Sequence, residues 1–68
     1  MINKDKFKAK VAEHGLTQKE LSKTIGISNN SLSRKLNDKA PFTLGELQAI
    51  KDKLELTSQE VSDIFFAK

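Results

Sequence analysis

The sequence predicts an all-α domain of five short helices, and three observations predict it. Period-two alternation of apolar residues is absent and β-branched residues are sparse, so nothing reads as a strand. Helix-start signals recur along the chain, and three are full capping boxes: Thr17 with Glu20, Thr43 with Glu46 and Thr57 with Glu60. Each box is bracketed by an apolar pair spaced as a hydrophobic staple, Leu16/Leu21, Phe42/Leu47 and Leu56/Val61. One capping box is a common accident of composition. Three with matching staples in 68 residues are a consistent helical pattern.

The first helix is expected from about Lys4 to Glu13, with Asn3 as N-cap and Ile2 stapled onto Phe7. Phe7 and Val11 lie four apart on one face, and Gly15 supplies the left-handed residue that ends the helix. The second helix starts at the Thr17 box and closes at Gly26, again through a positive φ. Ser28 caps the third, Ile27 and Leu32 staple it, and Asn37-Asp38 ends it. Residues 38–42 form a loop, because Pro41, the only proline, biases Ala40 away from helix. The fourth helix follows Thr43 with Leu47, Ile50 and Leu54 inward. The fifth follows Thr57 with Val61, Ile64 and Phe65 inward, which leaves Phe66 turned about 100° out of the stripe.

Length and composition restrict the function. Residues 1–68 are enough for a single domain with one core. There is no cysteine and only one histidine, His14, so disulfides, thiolate metal sites and cysteine nucleophiles are excluded and no cofactor is expected. The scattered carboxylates show no catalytic pairing, and an enzyme is not expected. The longest apolar run, Ile64 to Ala67, is four residues, too short for a transmembrane helix or a signal peptide, so no membrane partner is expected. The net charge of +3 is divided unevenly: residues 1–40 carry nine basic and four acidic groups, residues 41–68 three basic and five acidic. A basic half joined to an acidic half fits one face turned toward a polyanion; ordinary solubilising charge is the plainer alternative.

The stretch Gln18 to Asn37, QKELSKTIGISNNSLSRKLN, resembles the helix-turn-helix of the Cro/CI-type (XRE-like) regulators of phages and bacteria. The resemblance rests on Leu21 and Ile25 facing the core, the small Ser22 at the helix crossing, Gly26 at the turn, Ile27 after it and Leu32 in the second helix. KAPFTLGELQAI is also similar to the family's loop and fourth helix. Two departures stand out. Lys35 and Leu36 reverse the usual aliphatic-then-polar order, as in a subgroup of very short phage regulators, and Ser22 replaces the usual alanine and must hydrogen-bond within its helix or reach solvent.

The resemblance implies a lambda-repressor-like fold in which the second and third helices, residues 18–37, form the helix-turn-helix. The third helix then lies in the DNA major groove. Asn29, Asn30, Ser33 and Arg34 would point to base edges, since Leu32 and Leu36 point inward. Gln18, Lys19, Ser28, Lys35, Asn37 and Lys39 would meet phosphates. Of the first helix's lysines, spaced at every second residue, most are expected to be solvated. Phe66 is the candidate surface for a second copy or another partner.

Two functions remain open at this level. One is a Cro-like repressor of a lysis/lysogeny switch, acting in the bacterial cytoplasm by occupying double-stranded operator DNA, as a homodimer on its site. The other is an antirepressor, or modulator of repression, that binds the cognate phage repressor through the same face. The low net charge and the single arginine on the recognition face favour the second modestly. The length suits both a whole Cro-type protein and the N-terminal domain of a longer repressor.

Overall fold

A computed structural model describes residues 2–67 as five α-helices, with no strand among them. They are α1 (Lys4–Glu13), α2 (Gln18–Ile25), α3 (Asn29–Leu36), α4 (Leu44–Lys53) and α5 (Ser58–Phe65). No helix among the described residues is long and apolar enough to cross a membrane.

The helix starts follow the expected caps. Asn3, Thr17, Ser28, Thr43 and Thr57 each accept a hydrogen bond from the backbone N–H three residues on. All three capping boxes close in both directions. The ends share one device. After α1, α2, α3 and α4 a residue takes a positive φ and the next N–H reaches back to a carbonyl of the last turn. Glycines do this after α1 (Gly15, φ +66°) and α2 (Gly26, φ +81°). After α3 and α4 the same position falls to Asp38 (φ +59°) and Glu55 (φ +52°). Asparagine and aspartate tolerate that region; glutamate does so poorly.

One core holds the helices together. Phe7, Val11, Leu21, Leu32, Leu36, Ile50, Leu54, Leu56, Ile64 and Phe65 are buried. Each such side chain contributes about 1.5–3 kcal/mol of transfer free energy. Phe65 is the hub, edge-on to Phe7 at 6.1 Å and to Phe42 at 5.3 Å between ring centroids. α2 packs on α3 and α4, while α1 packs on α2 and α5. Ser22, 2% exposed, sits in this contact layer and donates to the Lys19 carbonyl at 2.6 Å, so its hydroxyl is satisfied inside its own helix.

Two further ties join the chain's ends. The Asn3 N–H donates to the Ile64 carbonyl at 2.7 Å, and Lys10 forms an ion pair with Glu60. Lys10 is therefore not one of the solvated lysines. His14 is partly covered, with Nδ1 3.0 Å from the Lys10 carbonyl and Nε2 3.2 Å from Glu55.

Candidate functional site

The site is built on α3, whose inner stripe fixes its outer one. Leu32 and Leu36 are 0% and 3% exposed, which locks the rotation of an eight-residue helix. Two rows of polar side chains remain outside. Asn29, Ser33 and Asn37 follow one another at four-residue spacing along the first row, and Asn30 and Arg34 along the second. Asn30 and Arg34 are exposed, and neither side chain bonds to another described residue.

The first row is fastened at both ends by side chains from other helices. Gln18, the first residue of α2, donates through Nε2 to Asn29 Oδ1 at 3.1 Å and to Ser33 Oγ at 2.8 Å. The turn at Gly26 makes this possible by bringing the starts of α2 and α3 to the same surface. At the other end Asn37 donates from Nδ2 to the Ser33 carbonyl at 2.9 Å, and its Oδ1 accepts from Lys4 Nζ at 2.8 Å. The polar row therefore has a defined geometry and is not a set of free rotors.

The remaining candidates divide. Lys19 and Lys39 are exposed and make no side-chain bond to another described residue. Ser28 is exposed at the start of α3, where its Oγ accepts from the Ser31 N–H and donates to Ser31 Oγ. Lys35 departs from its expected phosphate role. Its ammonium reaches both carboxylate oxygens of Glu46, at 2.5 and 2.6 Å, and lies 5.9 Å from the centre of the Phe42 ring. Its side chain is only 14% exposed. The reason is the Lys-Leu order noted in the sequence: with Leu36 as the inward anchor, Lys35 falls on the flank beside α4, where a capping-box glutamate waits. Asn37 departs in degree, because both ends of its amide are already engaged.

The electrostatics follow the same division. Glu46 is held below the ordinary carboxylate range, first by the Lys35 hydrogen bond and then by the Thr43 backbone N–H. Glu60 is held low by Lys10 and Thr57, and Lys10 is correspondingly raised by Glu60. Glu20 is lowered by the Thr17 backbone hydrogen bond. α1, α2, α4 and α5 each carry an acid in the first turn, Asp5, Glu20, Glu46 and Glu60. α3 carries none, and its first turn is Asn29-Asn30-Ser31. Its N-terminal partial positive charge is thus left uncompensated by the chain itself.

Sequence reasoning missed Lys4 in this group, because its partner lies 33 residues away. Among the described residues two large apolar side chains are exposed: Phe66, 62% exposed at the end of α5, and Leu44, 84% exposed at the start of α4. Phe66 borders a groove of about 250 Å³ lined by Ile2, Pro41, Phe42, Leu47 and Phe65 among others.

A family model described as "Protein of unknown function (DUF739)" matches residues 3–68. The chain belongs to the DUF739 family. The match spans all five helices and the whole of the α2–α3 surface, so the site is part of the family domain and not an appendage to it. No curated protein matches the chain at a significant level.

Proposed function

We propose that this chain is a DNA-binding transcription regulator that reads operator DNA with a helix-turn-helix formed by α2 and α3, in the manner of a Cro-like phage repressor with a lambda-repressor-like fold. The observation that carries the reading is the Gln18 bridge to Asn29 and Ser33. It joins the start of α2 to the outward row of α3 as one polar surface, beside the free Asn30 and Arg34 side chains. Arginine bridges O6 and N7 of guanine, asparagine pairs with adenine, and the N-terminal partial charge of α3, which no acid in its first turn offsets, favours an approaching phosphate. Lys19 and Lys39 supply sequence-independent attraction at the two ends. The protein acts by occupancy, excluding polymerase or a rival regulator from the operator in the bacterial cytoplasm. A helix-turn-helix of this size reads a few base pairs, so two copies act together on half-sites about one DNA turn apart, with Phe66 at their contact.

The second reading is an antirepressor whose α3 face binds a partner repressor. One observation favours it: Lys35 is neutralised by Glu46, which leaves Arg34 as the one cation of α3 itself free to meet DNA. A gel shift of the purified protein on the intergenic DNA beside its own gene, with and without the neighbouring repressor, separates the two. A shifted band from the protein alone supports the operator-binding reading. Loss of the repressor's band without a new one supports the antirepressor.

A further inference from the structure

The lysines of α1 fall on different sides of the helix, and two of them lie along the edge of the α2–α3 surface. Lys4 reaches Asn37 at the end of α3, at 2.8 Å. Lys8, one turn on, shares a groove with Phe7, Val11, Ala12, Leu16 and Gln18, which places it beside the start of α2. Lys10 turns the other way, to Glu60 of α5, and Lys6 lines a groove with Lys10, Glu60 and Asp63. One helix therefore presents a Lys4–Lys8 row toward the polar surface and a Lys6–Lys10 row toward acids.

We propose that α1 is part of the interface: Lys4 and Lys8 form a second line of phosphate contacts along the duplex backbone, and Lys4 takes the phosphate at the end of α3 that the sequence assigns to Asn37. The inference rests on the DNA-binding reading and extends it to a third helix. Asn37 has committed its Oδ1 to Lys4 and an Nδ2 hydrogen to the Ser33 carbonyl, so it acts as a positioning residue. Lys4 keeps two of its three ammonium hydrogens for a ligand, on a side chain already steered by Asn37. Holding a lysine in place lowers the entropy lost when it meets a phosphate, which a solvated lysine does not offer. A polyanion is the ligand that this pattern fits, because the α5 acids Glu60 and Asp63 share their groove with Lys6 and Lys10 and not with Lys4 and Lys8.

The test needs no operator. The affinity of the full chain for a random-sequence 20-base-pair duplex is measured by fluorescence anisotropy across a salt series, for wild type, Lys4→Gln, Lys8→Gln, Asn37→Ala, Lys6→Gln and the double variant Lys4→Gln with Asn37→Ala. All four positions are exposed, and a thermal melt of each variant checks that the fold is kept. Each neutralised phosphate contact contributes about 0.9 to the slope of log K against log salt. The expected result is a slope smaller by roughly that amount for Lys4→Gln and for Lys8→Gln, and unchanged for Lys6→Gln, which removes the same charge. Asn37→Ala is expected to weaken binding and to have no further effect once Lys4→Gln is present. Equal slope changes for Lys4→Gln and Lys6→Gln reduce the row to net charge and overturn this inference alone. A wild-type chain with no salt-dependent affinity for duplex DNA overturns it together with the DNA-binding reading.

Discussion

α3 and α4 are alike on their inner faces and opposite at their first turns. Each buries aliphatic side chains against the same core, Leu32 and Leu36 from one, and Ile50 of the other with Leu54 at its C-cap. Yet α4 starts on a closed capping box whose glutamate is held by Lys35, whereas α3 starts on Ser28 with no acid behind it. A carboxylate near a helix N-terminus is worth about 0.3–1 kcal/mol, which α3 alone among the five forgoes. α1, α2, α4 and α5 each set an acid in the first turn, and α3, whose polar rows face outward, sets none.

The largest expected effect lies on the shared inner face. Leu32→Ala removes a side chain with no exposure and is expected to cost about 2–5 kcal/mol in chemical denaturation, a large share of a small domain's stability. A loss as large from Asn30→Ala would mean that the two faces of α3 are assigned the wrong way round.

The next effect concerns the α4 start. Glu46→Gln leaves Lys35 facing a neutral amide and is expected to cost about 1 kcal/mol at pH 7. Because Glu20, Glu46 and Glu60 are all held below the usual carboxylate value of 4.5 in the folded chain, the stability they contribute is fully present above that value. It is lost as pH falls below it. Thermal melts between pH 7 and pH 3 should show this decline, and Glu46→Gln should make it shallower. An unchanged pH profile would remove Glu46 from the account.

Smaller in stability but sharper in meaning is Ser31→Glu. Ser31 stands three residues after the Ser28 cap, where glutamate completes the capping box that α3 lacks. The melting temperature is expected to rise, with a gain of about 0.5–1 kcal/mol, while duplex affinity falls because a carboxylate now meets the phosphates. If stability and affinity rise together, the open first turn has no bearing on binding. The smallest effect belongs to the helix ends. Glu55→Gly relieves a left-handed glutamate and is expected to stabilise by roughly 0.5 kcal/mol after the entropy of the unfolded glycine is offset. Asp38→Gly should gain less, since aspartate tolerates that region.

Local signals made most of this fold legible. Caps and staples act within six residues, so the sequence alone places the starts of all five helices and the buried stripe, while the choice of the Lys19 carbonyl over solvent for Ser22 comes from its burial. What it misses spans the chain. Lys35 meets Glu46 eleven residues on, Lys4 meets Asn37 across 33, and His14 meets Glu55 across 41. Spacing along a helix says which side chains share a face, not which neighbour that face meets. Glu55 was hidden for a different reason: its positive φ comes from the turn that α4 must make into Leu56, and no glycine marks it. Leu44, almost fully exposed one residue after the Thr43 cap, carries no local signal at all.

The central claim is that the outward face of α3 binds DNA while its inward face holds the fold. Its most direct test pairs two readouts on Arg34→Ala: affinity for the DNA beside the protein's own gene, and thermal stability. The melting temperature is expected to stay unchanged within error and the operator affinity to fall by roughly tenfold or more, as for losing a bidentate guanine contact. Operator affinity left intact, or lost only together with the fold, would contradict it.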